Sequence, residues 1–183
     1  MNAAEYAAVE RLRDGSPLQI RALRPTDRVE LLAAFERTSD ETRYRRFFAP
    51  KRAFSERELE YFLNVDFVSH VALAAVLESE GRQLIAGGAR YIVSAPGRAE
   101  VAFAVDDPHQ KLGIGTRLMR HLVIIARDAE IGELVAEVLP DNRPMLKVFE
   151  RCELPMTTHH ETGVVHVTLD LSGRRHLTTR PEE

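Results

Sequence analysis

The sequence has a single cysteine, no tryptophan and no long hydrophobic run. With only Cys152, the chain has neither an intramolecular disulfide nor a zinc site built from several cysteines. A membrane-spanning helix needs about 18 consecutive apolar residues, and no segment supplies them. Residues 1–10 also lack the basic and apolar pattern of a signal peptide. We therefore expect a protein of the reducing cytoplasm that binds no membrane.

Positive charge is not in excess either. Lys and Arg total 25 and Asp and Glu total 28, which gives a net charge of −3. Because the chain has no overall positive field to hold a phosphate backbone, we expect no nucleic-acid partner. The 183 residues, of which 44% are hydrophobic and 29% charged, have the composition of one folded domain rather than of a disordered chain.

The order of strand and helix signals predicts an α+β fold with a mixed, mostly antiparallel sheet flanked by helices. Residues 1–15 are expected to form a helical extension, 16–172 the main domain and 173–183 a polar tail. Ser55 and Glu58 have the spacing of a capping box, which predicts the start of a helix. The other expected elements are strands at 18–23, 71–77, 84–93, 100–105, 133–139 and 164–171, and helices that begin near residues 27, 39, 116 and 143.

Residues 101–116 carry a strand that runs into a loop with two glycines and then into a helix. Glycines let successive backbone N–H groups point the same way, and the free N–H groups at a helix start favour an anion such as phosphate. Lys111 and Arg117 add local positive charge. The alternative is that Gly113 and Gly115 serve only as a turn between strand and helix.

Two common phosphate-binding motifs do not match this loop in full. A Walker loop requires Gly-x-x-x-x-Gly-Lys followed by Ser or Thr, and that run is absent. A dinucleotide fingerprint requires a third small residue where Leu118 stands, although Glu137 lies near the position of a ribose-binding acid. The dinucleotide interpretation stays open here, and the antiparallel strands expected before the loop argue against it.

The run Gln110-Lys111-Leu112-Gly113-Ile114-Gly115 resembles the Gln/Arg-x-x-Gly-x-Gly/Ala motif of the GNAT acetyltransferases, and 135–145 is similar to the fifth strand of that family and the asparagine after it. The resemblance covers residues 18–171 and implies the GNAT acyl-CoA N-acyltransferase fold. It also implies acetyl-CoA as the acyl donor and an amine as the acceptor, with no metal. By this resemblance the coenzyme-binding residues are Phe103, Ala104, Val105, Gln110, Lys111, Leu112, Gly113, Ile114, Gly115, Thr116 and Asn142.

Within the family, 43–52 and 99–105 most resemble the GNAT domains of bacterial Pat-type protein lysine acetyltransferases, which acetylate acyl-CoA synthetases. The resemblance implies transfer to a protein lysine, an acyl-CoA synthetase as a candidate partner, and Glu100 as the catalytic general base. The alternative for Glu100 is an exposed strand residue paired with Arg98 or Arg90. A small-molecule amine acceptor and a non-catalytic acyl-CoA-binding module also stay open, as do a monomer and a homodimer.

The sequence departs from the family pattern where an acid for the leaving group is expected. Many members have a tyrosine seven residues after the asparagine, but Phe149 stands there and has no proton to donate. The coenzyme A thiolate would then leave unassisted or with help from water, which a thiol pKa of about 8.5 permits. The segment 159–161 with His166 lacks the spacing of a helical metal-binding motif, so we expect no metal site.

Overall fold

The computed structural model of the chain describes residues 1–79 and 81–173. Its strands are β1 (Ala7–Arg11), β2 (Pro17–Ala22), β3 (His70–Ser79), β4 (Arg82–Ala95), β5 (Arg98–Val105), β6 (Glu133–Val138), β7 (Met156–Glu161) and β8 (Val164–Asp170). Its α-helices are α1 (Arg28–Glu36), α2 (Asp40–Phe47), α3 (Glu56–Leu63), α4 (Ile114–Asp128) and α5 (Arg143–Glu150). Short 3₁₀ helices occupy Ala3–Glu5, Pro25–Asp27 and Asp107–His109. The strands form a sheet in the order β1-β2-β3-β4-β5-β6-β8-β7.

Neighbouring strands of this sheet are antiparallel except for β5 and β6, which are parallel. The predicted α+β class and the parallel crossover are thereby confirmed. The β5–β6 ladder is short, because Arg98–Glu100 pairs with Glu133–Val135 and the two strands then separate. β5 stays paired with β4, and β6 with β8, along the rest of their lengths. The sheet therefore has an opening in its middle between residues 101–105 and 136–138.

Helix α4 covers one face of the sheet beside this opening. Its apolar side chains recur every three or four residues, as the sequence predicted, and burial of each large one contributes roughly 1.5–3 kcal/mol. The buried residues include Leu118, Met119, Leu122, Ile125 and Ala126. Because α4 begins at Ile114, immediately after Gly113, packing of the helix against the sheet fixes the position of the glycine loop.

The opposite face of the sheet is covered by α1, α2 and α3. The hydroxyl of Ser55 accepts a hydrogen bond from the N–H of Glu58, whose carboxylate accepts one from the N–H of Ser55, so the predicted capping box of α3 is confirmed. Ala72 and Ala74 on β3 form a core cluster with Leu63 and with Ala34 of α1. Helix α2 lies against β5 and so forms one side of the opening.

The helix expected in residues 1–15 is wrong. Ala7–Arg11 forms β1, which pairs antiparallel with β2 across a tight turn. A short isolated helix is marginal in water, whereas pairing with a neighbouring strand satisfies the backbone N–H and C=O groups. The division of the chain at residue 16 stays a prediction. Residues 174–183 of the expected polar tail lie outside the described residues.

Strand β7 was not expected either. Five of its six residues are exposed, so no alternation of apolar and polar residues marks it in the sequence. Across residues 1–79 and 81–173, no helix combines the length and the apolar character that a membrane crossing requires.

Candidate active site

The opening between β5 and β6 is a cleft with a volume of about 690 Å³. Its walls are residues 100–105 of β5, the loop before α4, and parts of α2 and α5. Of the predicted site residues, the cleft brings together Glu100, Phe103, Ala104, Val105, Gln110, Lys111, Gly113, Ile114, Gly115, Thr116 and Asn142. Leu112 does not line the cleft, because its side chain packs against the hydrophobic core, and its part in coenzyme binding stays a prediction.

The loop before α4 leaves backbone N–H groups free at the cleft. Lys111 and Gly113 have positive φ angles of 65° and 87°, which bend the chain into the helix. Gly113 is the N-cap residue, and no side chain caps α4. The N–H groups of residues 114–116 therefore lack an intrahelical acceptor, and the first turn contains no acidic residue. Such a helix start favours a bound anion.

Gln110 holds the loop in place through its side-chain amide. Its Nε2 lies within hydrogen-bond distance of Oγ1 of Thr42 (3.2 Å), the backbone oxygen of Val105 (3.3 Å) and Oδ1 of Asp107 (3.2 Å). These contacts connect the loop to α2 and to the end of β5. Gln110 is therefore a positioning residue of the glycine loop as well as a residue of the cleft wall.

Arg13, in the turn between β1 and β2, also lines the cleft. Its Nε lies 3.9 Å from the position that a Cβ on Gly113 would take. Arg117 fastens this turn to the glycine loop, because its guanidinium donates to the backbone oxygen of Gly113 at 3.2 Å and to that of Arg11. Glu10 lies 3.7 Å from Nε of Arg117 and neutralises part of its charge. Arg13 forms no ion pair within the described chain, so its charge stays available to a ligand.

The sequence interpretation missed Arg13 because residues 1–15 were expected to form a separate helix. The turn signal at 14–17 is present in the sequence, and reading it as a hairpin turn would have placed Arg13 beside β2. Its contact with the glycine loop depends on the docking of that hairpin against α4, which no local pattern encodes.

Asn142 caps α5 and lines the cleft at the same time. Its side-chain oxygen accepts a hydrogen bond from the N–H of Met145 at 3.3 Å. Three basic residues follow at intervals of four, Arg143 and Lys147 on α5 and Arg151 at its C-cap, and all three line the cleft. Residues four apart share one face of a helix, so α5 presents a basic stripe to this wall.

Glu100 lies at the last residue pair of the parallel ladder, where β5 and β6 begin to separate. It is exposed and lines the cleft. Nε of Arg98 lies 3.9 Å from Glu133, and Nη1 of Arg90 lies 3.0 Å from Nε2 of His70, so neither arginine holds the Glu100 carboxylate. Glu100 is thus an exposed strand residue, as that alternative had it, but in the described residues it pairs with neither Arg98 nor Arg90.

The charge of Glu100 acts on Arg46, which lines the same cleft. Burial lowers the pKa of Arg46, while the charges of Glu100 and Tyr61 oppose that shift. In the described residues Glu100 forms no ion pair, so its carboxylate is open to an incoming group.

Phe149 is buried beside the cleft and packs edge-on against Phe103, with ring centroids 6.0 Å apart. Sγ of Cys152 donates to the backbone oxygen of Phe149 at 2.7 Å, and burial raises the pKa of this thiol. Within the described chain, neither a tyrosine nor a cysteine lines the cleft. The cleft wall therefore supplies no phenol or thiol to protonate a leaving group.

A second cavity, of about 110 Å³, adjoins the cleft on the side of α1 to α3. The two spaces share Arg46, Phe47, Ala102 and Ala104 in their walls. Four phenylalanines form its apolar wall, and neighbouring rings lie 4.5–6.4 Å apart between centroids: Phe35, Phe47, Phe54 and Phe62. No local sequence pattern predicts this cavity, because its wall comes from three helices and three strands.

The histidines near the C-terminus lie outside the cleft wall. His159 and His166 are cross-strand neighbours on the β7–β8 hairpin, with ring centroids 6.4 Å apart. In the part of the chain that the structure describes, no group of three His, Cys, Asp or Glu side chains is arranged to hold a metal ion.

The chain is similar to known acetyltransferases in sequence and in structure. Residues 31–153 match the family model described as the acetyltransferase (GNAT) family. Acetyltransferase PA5475 of Pseudomonas aeruginosa is 31% identical over 138 residues, which cover 75% of this chain and 74% of that protein. Acetyltransferase Pat of Mycolicibacterium smegmatis is 32% identical over 165 residues, which cover 87% of this chain and 47% of Pat, so the chain spans about half the length of that relative. The solved GNAT domain of S. lividans PAT is 36% identical with a TM-score of 0.81, covering 90% of this chain and 96% of that domain.

These similarities agree with the mixed sheet, its central opening and the helix-start loop. The sheet itself overturns the dinucleotide interpretation. The strand that enters the loop, β5, is the last of an antiparallel series, whereas a dinucleotide-binding loop follows the first strand of a parallel sheet. The chain belongs to the GNAT acetyltransferase family and is an acyltransferase.

Proposed function

We propose that this protein transfers an acetyl group from acetyl-CoA directly to the side-chain amine of a protein lysine, with Glu100 as the general base. The position of Glu100 supports this proposal most. It is an exposed carboxylate with no ion-pair partner in the described chain, and it shares one cleft with the helix-start loop. Acyl transfer from a coenzyme A thioester needs such a base and a phosphate site in the same cleft.

The proposed donor site uses the backbone more than side chains. The free N–H groups of residues 114–116 bind the pyrophosphate, and Arg13 and Lys111 add positive charge beside it. Residues 101–105 have no strand partner on the side of β6, so their backbone groups pair with the amide groups of the pantetheine arm. Asn142 contacts the same arm from the start of α5.

The acceptor amine must lose a proton before it reacts. A lysine with a pKa of about 10.4 needs about 4.6 kcal/mol to become neutral at pH 7. Glu100 accepts this proton, directly or through one water, while the nitrogen attacks the thioester carbonyl carbon. A positioned base of this kind contributes roughly 10²–10⁴ in rate. The new C–N bond forms and the C–S bond breaks. The attacking nitrogen releases its second proton to water, and the thiolate takes a proton from water because Phe149 offers none.

The similarity to Pat supports a protein acceptor, and acyl-CoA synthetases are the first candidates. The acceptor class is inferred from sequence similarity to Pat, because the acceptor loops contain no motif that identifies the substrate. The test is therefore a transfer assay in which acyl-CoA synthetases, lysine peptides and small amines compete as acceptors. Acetylated protein is detected by intact mass, and coenzyme A release is measured with a thiol reagent.

Substitution of the base gives the sharper experiment. Glu100→Gln should lower kcat/KM for the acceptor by about 10²–10⁴ and leave the coenzyme A Kd nearly unchanged. Glu133→Gln is the matched control, since Glu133 is exposed on the neighbouring strand and does not line the cleft. Unchanged turnover in Glu100→Gln would remove this residue from the mechanism. Transfer confined to small amines would replace the protein lysine as acceptor.

A further inference from the structure

Two arginines meet at the border between the cleft and the second cavity. Arg46 on α2 and Arg90 on β4 both line that cavity, and Arg46 also lines the cleft. The guanidinium carbon of Arg46 lies 5.1 Å from the ring centroid of Phe47, and that of Arg90 lies 4.3 Å from the ring centroid of Phe62. Stacking on these rings holds both cations against an apolar wall.

Carboxylates do not neutralise this pair. Within the described chain neither Arg46 nor Arg90 forms an ion pair, and Arg90 has the neutral ring of His70 at 3.0 Å instead. Burial, together with the positive charge of Arg46, lowers the pKa of Arg90 to about 9. Glu100 acts on Arg46 without contacting it. Two half-buried cations thus share the field of one carboxylate, and an added anionic group would be stabilised between them.

The cavity has room beside these cations because the strands beneath it carry very small side chains. Gly88 on β4 and Ala102 and Ala104 on β5 lie below the four phenylalanines. A Cβ at Gly88 would approach the backbone oxygen of Leu73 to 3.1 Å, so the position suits glycine. The resulting space is apolar along its wall and cationic at the arginines, which fits a short aliphatic chain that ends in a carboxylate.

We infer that Arg46 and Arg90 form a carboxylate subsite for an acidic residue next to the acceptor lysine. The inference rests on the proposed transfer to a protein lysine and names the acceptor sequence that the site prefers. The donor lies between β5 and β6, whereas Arg90 is on β4, on the far side of β5. A carboxylate that reaches Arg90 therefore belongs to the acceptor. Guanidinium groups match carboxylates in shape and can bind them through two hydrogen bonds.

A pair of peptides tests this subsite. One carries glutamates on both sides of the acceptor lysine, and the other carries glutamines at the same positions. Binding to the protein saturated with coenzyme A is measured by calorimetry, and acetyl-lysine formation is measured by mass spectrometry with acetyl-CoA. The wild-type protein should bind the glutamate peptide about tenfold more tightly, because the contact is charge-assisted.

Variants assign that preference to the arginines. Arg90→Gln should bring the ratio of the two Kd values close to one. Arg46→Gln is the second variant, because Arg90→Gln also removes the stacking on Phe62 that supports the fold. Arg98→Gln is the matched control and should keep the preference, because Arg98 is exposed beside Glu133 and lines neither space.

Equal binding of the two peptides, or binding of neither, overturns the subsite, and so does a preference that both arginine variants retain. A glutamate preference in binding without acetyl-lysine formation supports the subsite and overturns the proposed lysine transfer, so the two failures are distinguishable. Succinyl-CoA and butyryl-CoA are compared in parallel. If the protein prefers succinyl-CoA to butyryl-CoA but binds the two peptides equally, the arginines bind a carboxylate of the donor. That result overturns the assignment to the acceptor.

Discussion

Arg45 on α2 lies 3.3 Å from Asp141 in the loop between β6 and α5, so an ion pair joins two walls of the cleft. Glu41, one turn earlier on α2, lies 2.6 Å from the same guanidinium and orients it. Asp141 directly precedes Asn142, which caps α5. The pair therefore fixes the distance between α2 and the start of α5 at the entrance to the cleft.

Asp141→Asn should accelerate the dissociation of coenzyme A. An exposed ion pair contributes about 0.2–1 kcal/mol, so we expect Kd to rise about 1.5- to 5-fold. The difference should shrink as salt is added, because surface charges are screened. Stopped-flow dissociation at low and high salt measures both effects. Asp40→Asn, an exposed change on the same helix as Arg45, should leave the rate unaltered, and a salt-independent effect of Asp141→Asn would contradict the prediction.

Gly113→Ala should reduce both stability and coenzyme binding. Gly113 has a φ of 87°, and a Cβ there would lie 2.6 Å from Nη1 of Arg117. A left-handed conformation costs a non-glycine residue roughly 1–2 kcal/mol, and displacement of Arg117 also moves the helix start. We expect coenzyme A to bind about tenfold more weakly, equal to about 1.4 kcal/mol.

The control for this change is Gly97→Ala. Gly97 has a φ of 71°, but no heavy atom lies within 4 Å of an added Cβ. The two variants should therefore lose similar stability in thermal unfolding, while Gly97→Ala keeps its affinity for coenzyme A. Equal affinities in the two variants would mean that the phosphates bind elsewhere.

Arg13→Gln should weaken coenzyme A binding by about three- to tenfold, because a charged partner of the phosphates is lost at a partly exposed site. S-acetyl-pantetheine, which lacks the phosphates, should bind the variant and the wild type alike. Titration calorimetry with both ligands gives the comparison. Arg52→Gln, at an exposed position outside the cleft wall, should change neither affinity. An equal loss for both ligands would show that Arg13 does not act on the phosphates.

Stability should fall as the pH decreases from about 6.5 to about 4, through His70. Burial and, after it, the charge of Arg90 lower the pKa of His70 to about 4, although the charge of Asp66 opposes them. In this interval the unfolded state binds a proton that the folded state excludes, so protonation favours unfolding. Above about pH 6.5, His70 is neutral in both the folded and the unfolded state, so its titration no longer changes the free energy of unfolding.

Urea unfolding at a series of pH values measures this slope. His70→Gln should flatten the dependence of the unfolding free energy on pH between about 4 and 6.5. His160→Gln changes an exposed histidine of β7 and should keep the slope of the wild type. A slope that survives His70→Gln would assign the dependence to other groups.

Most of the fold could be predicted because its signals are local. The Ser55 and Glu58 pair, the apolar runs of β3 to β5 and the period of α4 each depend on residues a few positions apart. β1 and β7 carry no such pattern, and what stabilises them is pairing with β2 and β8. The sequence interpretation therefore gave residues 7–11 the helix that their local composition favours, and the partner strand overrides that preference.

The site was predictable where a motif has fixed spacing. Residues 110–116 and Asn142 meet in the cleft as their pattern implied, apart from the side chain of Leu112. No motif of fixed spacing marks Arg13 or Arg90. Arg13 follows β1 and Arg90 lies on β4, and each contributes to its cavity together with residues that are distant in the sequence. Contacts between distant parts of a chain depend on tertiary packing, which a single sequence encodes only indirectly.

The gap between β5 and β6 has a consequence beyond substrate binding. An opening inside a sheet exposes two strand edges, and free edges invite pairing with strands of other molecules, which leads to aggregation. In this protein α2 and α5 stand on the two sides of the gap and restrict the approach to it. The helices that shape the cleft thereby also protect the protein against edge-to-edge association, so solubility and binding depend on the same two elements.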